Sequence, residues 1–113
     1  MHELALAQAM IELVAATARK HGVQRVTAVR VEIGELAHVE PEALQFCFQS
    51  VVRGTVAERA RLEIERTPGT AWCMPCGDTV PLARHGDPCP ACGSYQLTPV
   101  RGDELRVRDI QAA

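Results

Sequence analysis

The chain has 113 residues, enough for one domain with a modest core and no room for a second full one, so any further unit must be small and stapled. Its 47% apolar and 23% charged residues are those of a globular protein, and 12 basic against 14 acidic side chains leave a net charge of −2. That balance argues against nucleic acid or an anionic membrane as partner, and Phe46, Phe48, Trp72 and Tyr95 are too few to build a stacking platform for bases. The start lacks the basic leader of a signal peptide, and no apolar run is long enough to span a bilayer. The expected setting is therefore the cytoplasm, where cysteines serve as metal ligands or redox groups more often than as disulfides.

Helical spacing of Leu6, Met10, Leu13, Val14 and Thr17 predicts a first helix from Glu3 to His21, with Gly22 as the residue past its end. In RVTAVRVEIGEL, Val29, Val31 and Ile33 alternate with Arg30 and Glu32, the pattern of a half-buried strand that Gly34 ends. Glu40-Pro41-Glu42 opens a second helix, with proline at a first helical position and acidic groups at the positive end of the dipole. Leu44, Cys47, Phe48 and Val51 form its stripe, and Gly54 closes it; Cys47 is read as a small buried hydrophobe. RLEIER predicts a second strand with Leu62 and Ile64 inward.

From Thr67 to Gly102 the composition changes: prolines stand at 68, 75, 81, 88, 90 and 99, four cysteines appear and helical periodicity is lost. TPGTA and LTPVRGD read as the connectors of this inserted module. ELRVRDIQ then places Leu105 and Val107 opposite Arg106 and Arg108, a third strand returning to the first sheet. The expected architecture is α+β, a small α/β sandwich of two helices on a three-stranded mixed sheet, formed by residues 1–66 plus 103–113, with a zinc-ribbon-like module at 67–102.

Within that module, Cys73-Met-Pro-Cys76-Gly and Cys89-Pro-Ala-Cys92-Gly are separated by twelve residues. A CxxC turn aims two sulfurs at one point, and two such turns give four thiolates for a tetrahedral ion. Gly77 and Gly93 supply the positive φ that closes each knuckle. A segment with so few large side chains folds through its metal, so the site is structural, and four thiolates leave no open position for hydrolytic chemistry. Two disulfides, or a rubredoxin-type iron site, satisfy the same spacing; scarce aromatics disfavour iron, and Cys47 stands apart from the set.

The start, Met1-His2-Glu3, carries a second pattern. With Met1 retained ahead of a histidine, its α-amine, the backbone nitrogen of His2 and the imidazole Nδ1 close two chelate rings in one plane. Glu3 or another histidine would complete a tetragonal set of the kind that suits Ni(II) or Cu(II) rather than zinc. Taken alone, the plainer reading of Met1 and His2 is a frayed tail, with Glu3 an acidic first-turn residue. His21 reads as a charge near a helix end, His38 beside Glu40 as a candidate metal-facing group, and His85 as a loop residue free to meet solvent or a partner. No nucleophile and base can be paired, so no enzyme activity is expected.

MHELALAQAM, VRVEIGEL, VEPEALQFCF, LEIE, CMPCG, CPACG and GDELRVRDI, in this order along nearly the whole chain, resemble the HypA/HybF family of hydrogenase-maturation nickel metallochaperones. The resemblance implies a nickel-binding α/β domain with an inserted zinc module. It implies Ni(II) held by Met1, His2 and Glu3 as transferable cargo, and Zn(II) held by Cys73, Cys76, Cys89 and Cys92. Glu40 matches an acidic position near the nickel end of some relatives, while a role for His85 has no support from the family. The implied partners are the accessory GTPase HypB, the large subunit of NiFe-hydrogenase and, for some members, the urease system. The rival reading from the residues alone is a zinc-ribbon adaptor or transcription-associated module, which leaves the MHE start unexplained.

Overall fold

The computed structural model describes residues 2–113. The first helix, α1, runs Glu3–Lys20, with Glu3 in its first turn and Arg19 and Lys20 in its last, each charge matched to the dipole. Its end is set by His21 as C-cap and by Gly22, whose φ of 68° is the left-handed conformation that terminates a helix at little cost in glycine. The buried face is Ala7, Met10, Ile11, Val14 and Ala18. This corrects the expected stripe: Leu13 is 53% exposed, and the Thr17 hydroxyl donates to the Leu13 carbonyl at 2.9 Å. Alanines at 7 and 18 let the helix backbone approach closely, a feature that a count of large hydrophobes overlooks.

Strand β1 (Val26–Gly34) buries Val29, Val31 and Ile33 as the alternation predicts, and Val26 and Ala28 as well. Helix α2 (Pro41–Val51) begins with proline just inside its N-cap, Glu40. Its inward residues are Leu44 and Phe48, whereas Cys47 and Val51 are half-buried and Phe46 faces outward. The two helices pack on each other. Strand β2 (Arg61–Thr67) turns Leu62 inward, and the Gln45 side-chain amide donates to the Leu62 carbonyl at 2.7 Å.

Three further strands, β3 (Thr70–Cys73), β4 (Asp78–Pro81) and β5 (Leu97–Arg101), precede the last, β6 (Leu105–Ala112). They form two three-stranded sheets, one in the order β2-β1-β6 and the other β4-β3-β5. β1 is thus central in a mixed sheet whose ion pairs, Arg30 with Asp109 at 3.3 Å and Arg108 with Glu65 at 2.6 Å, are at least partly exposed and contribute about 0–1 kcal/mol each. Together these elements make the α+β class.

The second sheet corrects one expectation: parts of both connectors are strands. Ala71 opposes Val80 on one side and Pro99 on the other, with a register shift between Thr70 and Ala71. Pro99 is tolerated because β5 is an edge strand, where a missing donor leaves no ladder bond unmade.

The chain divides into two compact units. One comprises the chain as far as Val31, Val39–Glu65 and Arg106–Ala113; the other comprises Glu32–His38 and Arg66–Leu105. The second has two small apolar clusters, Leu36 with Ala71 and Leu82, and Cys73 with Val80 and Cys89, and Leu97 packs against both. Three glycines of this unit meet backbone to backbone. A Cβ on Gly34 would lie 1.8 Å from the Gly102 carbonyl oxygen, one on Gly69 would lie 2.1 Å from that of Leu82, and one on Gly102 would lie 2.5 Å from the Gly69 Cα.

Candidate metal centre

Cys73 ends β3 and Cys76 lies in the turn to β4, so strand pairing sets the position of the first knuckle. Gly77, at φ 62°, closes it by donating its N–H to the Cys73 carbonyl at 2.9 Å. The second knuckle repeats the device: Gly93, at φ 78°, donates to the Cys89 carbonyl at 2.8 Å. The Cys89 N–H donates in turn to the Ser94 carbonyl at 2.8 Å, and the Ala91 N–H points at the Cys89 sulfur from 3.4 Å. Backbone conformation, rather than bulk, thereby aims the thiols.

The four sulfurs all lie within 4.8 Å of one another, Cys73 to Cys92 at 3.6 Å and Cys76 to Cys89 at 3.8 Å. A regular tetrahedron with bonds of about 2.3 Å to a central ion has edges of about 3.8 Å, so the set has the dimensions of a tetrathiolate site. None of the five cysteines is in a disulfide, and the four sulfurs converge as one cluster rather than as two bonded pairs. Cys73 and Cys89 are buried, whereas Cys76 and Cys92 face solvent.

The electrostatics of the metal-free cage agree with a cation's being needed. The backbone N–H of Cys92, and then that of Ala91, favour a thiolate at Cys89 and pull its pKa down to about 7. Crowding by the sulfurs of Cys92 and Cys73, with burial, pushes Cys76 up to about 12. At Cys73 the backbone N–H of Cys76 favours the thiolate, but burial and the neighbouring thiols outweigh it and raise the pKa. One negative charge is accommodated readily and the next ones are not; a divalent ion at the centre removes that penalty. The donor set and its spacing fit a resident tetrahedral ion, which would be held by Cys73, Cys76, Cys89 and Cys92 and would tie the two knuckles of the ribbon together.

At the other end of the sequence, His2 is the N-cap of α1; its side chain is exposed and its carbonyl accepts the Leu6 N–H at 3.0 Å. Glu3 turns its carboxylate to α2, where Oε2 accepts the Glu40 N–H at 3.1 Å. That donor, together with Glu3's own backbone N–H and His2, holds the Glu3 carboxyl below its ordinary pKa against a smaller effect of burial. One carboxylate therefore caps the start of α2 while standing in the first turn of α1. The expected Met1 ligand lies outside the described residues. Glu40 takes part through its N–H, a role that residue identity does not announce, although Pro41 at the first helical position marks the cap.

His21 is exposed at the C-cap of α1, as its charge suggested. His38 and His85 are brought together: their rings stack with centroids 5.3 Å apart, and His85 Nε2 lies 3.1 Å from the Leu36 carbonyl oxygen. Nothing in the sequence pairs two histidines so far apart. Among the described residues no helix is long and apolar enough to cross a membrane.

An α+β frame with a four-thiol cage on a three-stranded ribbon defines the class, a protein built to bind metal. A family profile described as "Hydrogenase/urease nickel incorporation, metallochaperone, hypA" matches residues 1–112, and the chain belongs to this family. It is 54% identical over 111 residues to the hydrogenase maturation factor HypA of Rhodopseudomonas palustris (strain BisB5), an alignment covering 98% of each chain. Hydrogenase maturation factor HypA 2 of Bradyrhizobium diazoefficiens is 50% identical over the same length and coverage. The fold is similar to that of the solution structure of the Ni metallochaperone HypA from Helicobacter pylori, with a TM-score of 0.69 at 24% identity, covering 99% of this chain and 97% of that one.

Proposed function

We propose that the protein is a nickel metallochaperone of the cytoplasm, one that catalyses no reaction itself. It takes up Ni(II) at Met1, His2 and Glu3 and passes it toward the large subunit of NiFe-hydrogenase, working with the GTPase HypB. The urease system is a second destination open to the family. Zn(II) stays on Cys73, Cys76, Cys89 and Cys92. On this reading residues 1–66 with 103–113 form the nickel domain, and residues 67–102 the zinc domain.

The observation that carries the proposal is the family match over residues 1–112 in a chain whose His2 is the exposed N-cap of α1. A helix leaves its first four N–H groups without intrahelical acceptors, so the amides of His2 and Glu3 can lose protons to a metal without breaking a helical bond. Deprotonated amides and an imidazole form the strong, planar field that Ni(II) accepts and zinc does not favour. A cation there meets the positive end of the α1 dipole, and the Glu3 carboxylate offsets that cost. An exposed chelate also allows ligands to be exchanged one at a time with a partner, which delivery requires.

Native mass spectrometry of untagged protein with nickel and zinc added tests the reading. The wild type should carry one zinc and one nickel, and His2→Ala should keep the zinc and lose the nickel. Full nickel occupancy in His2→Ala would remove the terminal chelate from the mechanism.

A further inference from the structure

We infer that His38 and His85 form a separate binding site for a divalent transition-metal ion of the imidazole-preferring kind, distinct from both the four-cysteine cage and the start of α1. The inference does not rest on the proposed nickel delivery.

Both histidines stand on backbone that the second unit pins. On the His38 side, the Leu36 N–H donates to the Gly102 carbonyl at 2.7 Å, the Ala37 N–H to that of Gly34 at 3.1 Å, and Leu36 is buried. On the His85 side, the Leu82 N–H donates to the Gly69 carbonyl at 2.9 Å, and the Asp87 N–H closes a turn on the Arg84 carbonyl at 3.2 Å. Leu36 and Leu82 belong to one apolar cluster, so its packing draws the two segments together and the imidazoles with them. The rings meet nearly parallel, with 23° between their planes.

The hydrogen bond from His85 fixes its chemistry. A carbonyl oxygen only accepts, so Nε2 of the neutral ring carries the proton and Nδ1 keeps the lone pair. A metal-binding histidine is oriented in the same way, its other nitrogen tied to a backbone carbonyl. Both rings are exposed and line a cavity of about 260 Å³ with Glu35, Leu36, Ala37 and Arg84. The lining carries one charge of each sign, the Glu35 carboxylate, which accepts the Gly69 N–H at 2.9 Å, and the Arg84 guanidinium, so its formal charges balance and imidazole nitrogens are the natural ligands. Imidazoles select nickel, copper or zinc over magnesium or calcium. Among the described residues the one cluster of three or more donors is the cysteine set, so the histidine site has two protein ligands and water completes its shell. It is therefore weak and open to exchange.

Spin state separates this site from the terminal chelate, because planar four-nitrogen Ni(II) is diamagnetic, whereas Ni(II) on two imidazoles and water is six-coordinate and paramagnetic. Ni(II) is titrated into zinc-loaded, full-length His2→Ala and followed by NMR of backbone amides and imidazoles. The expected result is paramagnetic broadening confined to residues around Leu36, His38 and His85. His38→Asn or His85→Gln in the same background should weaken that binding at least about tenfold while leaving the remaining amide spectrum in place. Absence of broadening at these residues, or broadening unaffected by either substitution, would overturn the inference. The wild type's diamagnetic nickel species reports on the terminal chelate separately, so the failure of one reading is distinguishable from that of the other.

Discussion

In the cysteine ribbon, four sulfur donors converge from two knuckles whose backbones are closed by Gly77 and Gly93, and two of the four thiols are buried. At the start of α1 the candidate donors are nitrogens beside an exposed imidazole, supported by a single carboxylate contact from Glu3 to the Glu40 N–H. The first arrangement is closed, charged and part of a small core; the second is open and costs the core nothing to disturb. On the proposed reading, retention of one metal and release of another call for these opposite constructions.

The sharpest way to break the comparison is Cys76→Ala. It should abolish the zinc equivalent and disorder the ribbon while the helical content of α1 and α2 survives, since structural zinc supplies about 10–16 kcal/mol of apparent binding free energy. Circular dichroism with metal analysis checks this, and loss of all helix would show that the regions fold as one. Next in size is Gly102→Ala, which combines a φ of 110° with a Cβ 2.5 Å from the Gly69 Cα and should cost about 3 kcal/mol or more in urea unfolding. Gly77→Ala, with a φ of 62° but nothing within 4 Å of the added carbon, should cost only about 1–2 kcal/mol.

Acidification should sharpen the contrast through its order. Below about 7, the pKa of Cys89, a metal entering the cage must displace a proton from that thiol as well, so zinc affinity falls more steeply on the acid side. The terminal imidazole is exposed, and it and the amides beside it lack a comparable cage. Nickel should therefore leave first as the pH is lowered, and metal release into a chromogenic chelator from pH 8 to 5 decides it. The smallest effect is expected from Glu3→Gln. The depressed pKa of Glu3 means that its contact stabilises the fold above the ordinary carboxylate range and ceases to do so as the pH falls through its lowered value. A small drop in thermal midpoint at pH 7 that vanishes on acidification below the ordinary carboxylate range is the expected signature.

What the sequence disclosed and what it concealed follow the distance over which each signal acts. The cysteine pairs were legible because each knuckle is five residues long and its terminal glycine carries the conformation. The strand pattern of residues 29–33 was legible for the same reason. The inner face of α1 was misjudged because alanine scores weakly, yet close packing selects it at positions 7 and 18. β3 and β5 were hidden by the prolines and glycines that edge strands and bends tolerate. The contact of Glu3 with Glu40, and that of His85 with Leu36, join segments 37 and 49 residues apart through backbone atoms. Every residue owns such atoms, so no pattern of letters could advertise them.

The strap Glu32–His38, grouped with the ribbon by its contacts, has a practical consequence for anyone who wishes to excise the four-cysteine module. A fragment cut at residues 67 and 102 would lack the leucine at 36 that fills the cluster of Ala71 and Leu82 and lies against Gly69 and Gly102, and it would lack Gly34, whose backbone meets that of Gly102. A soluble, zinc-loaded miniature should require the strap to be supplied as well, either as a fused segment or as an added heptapeptide.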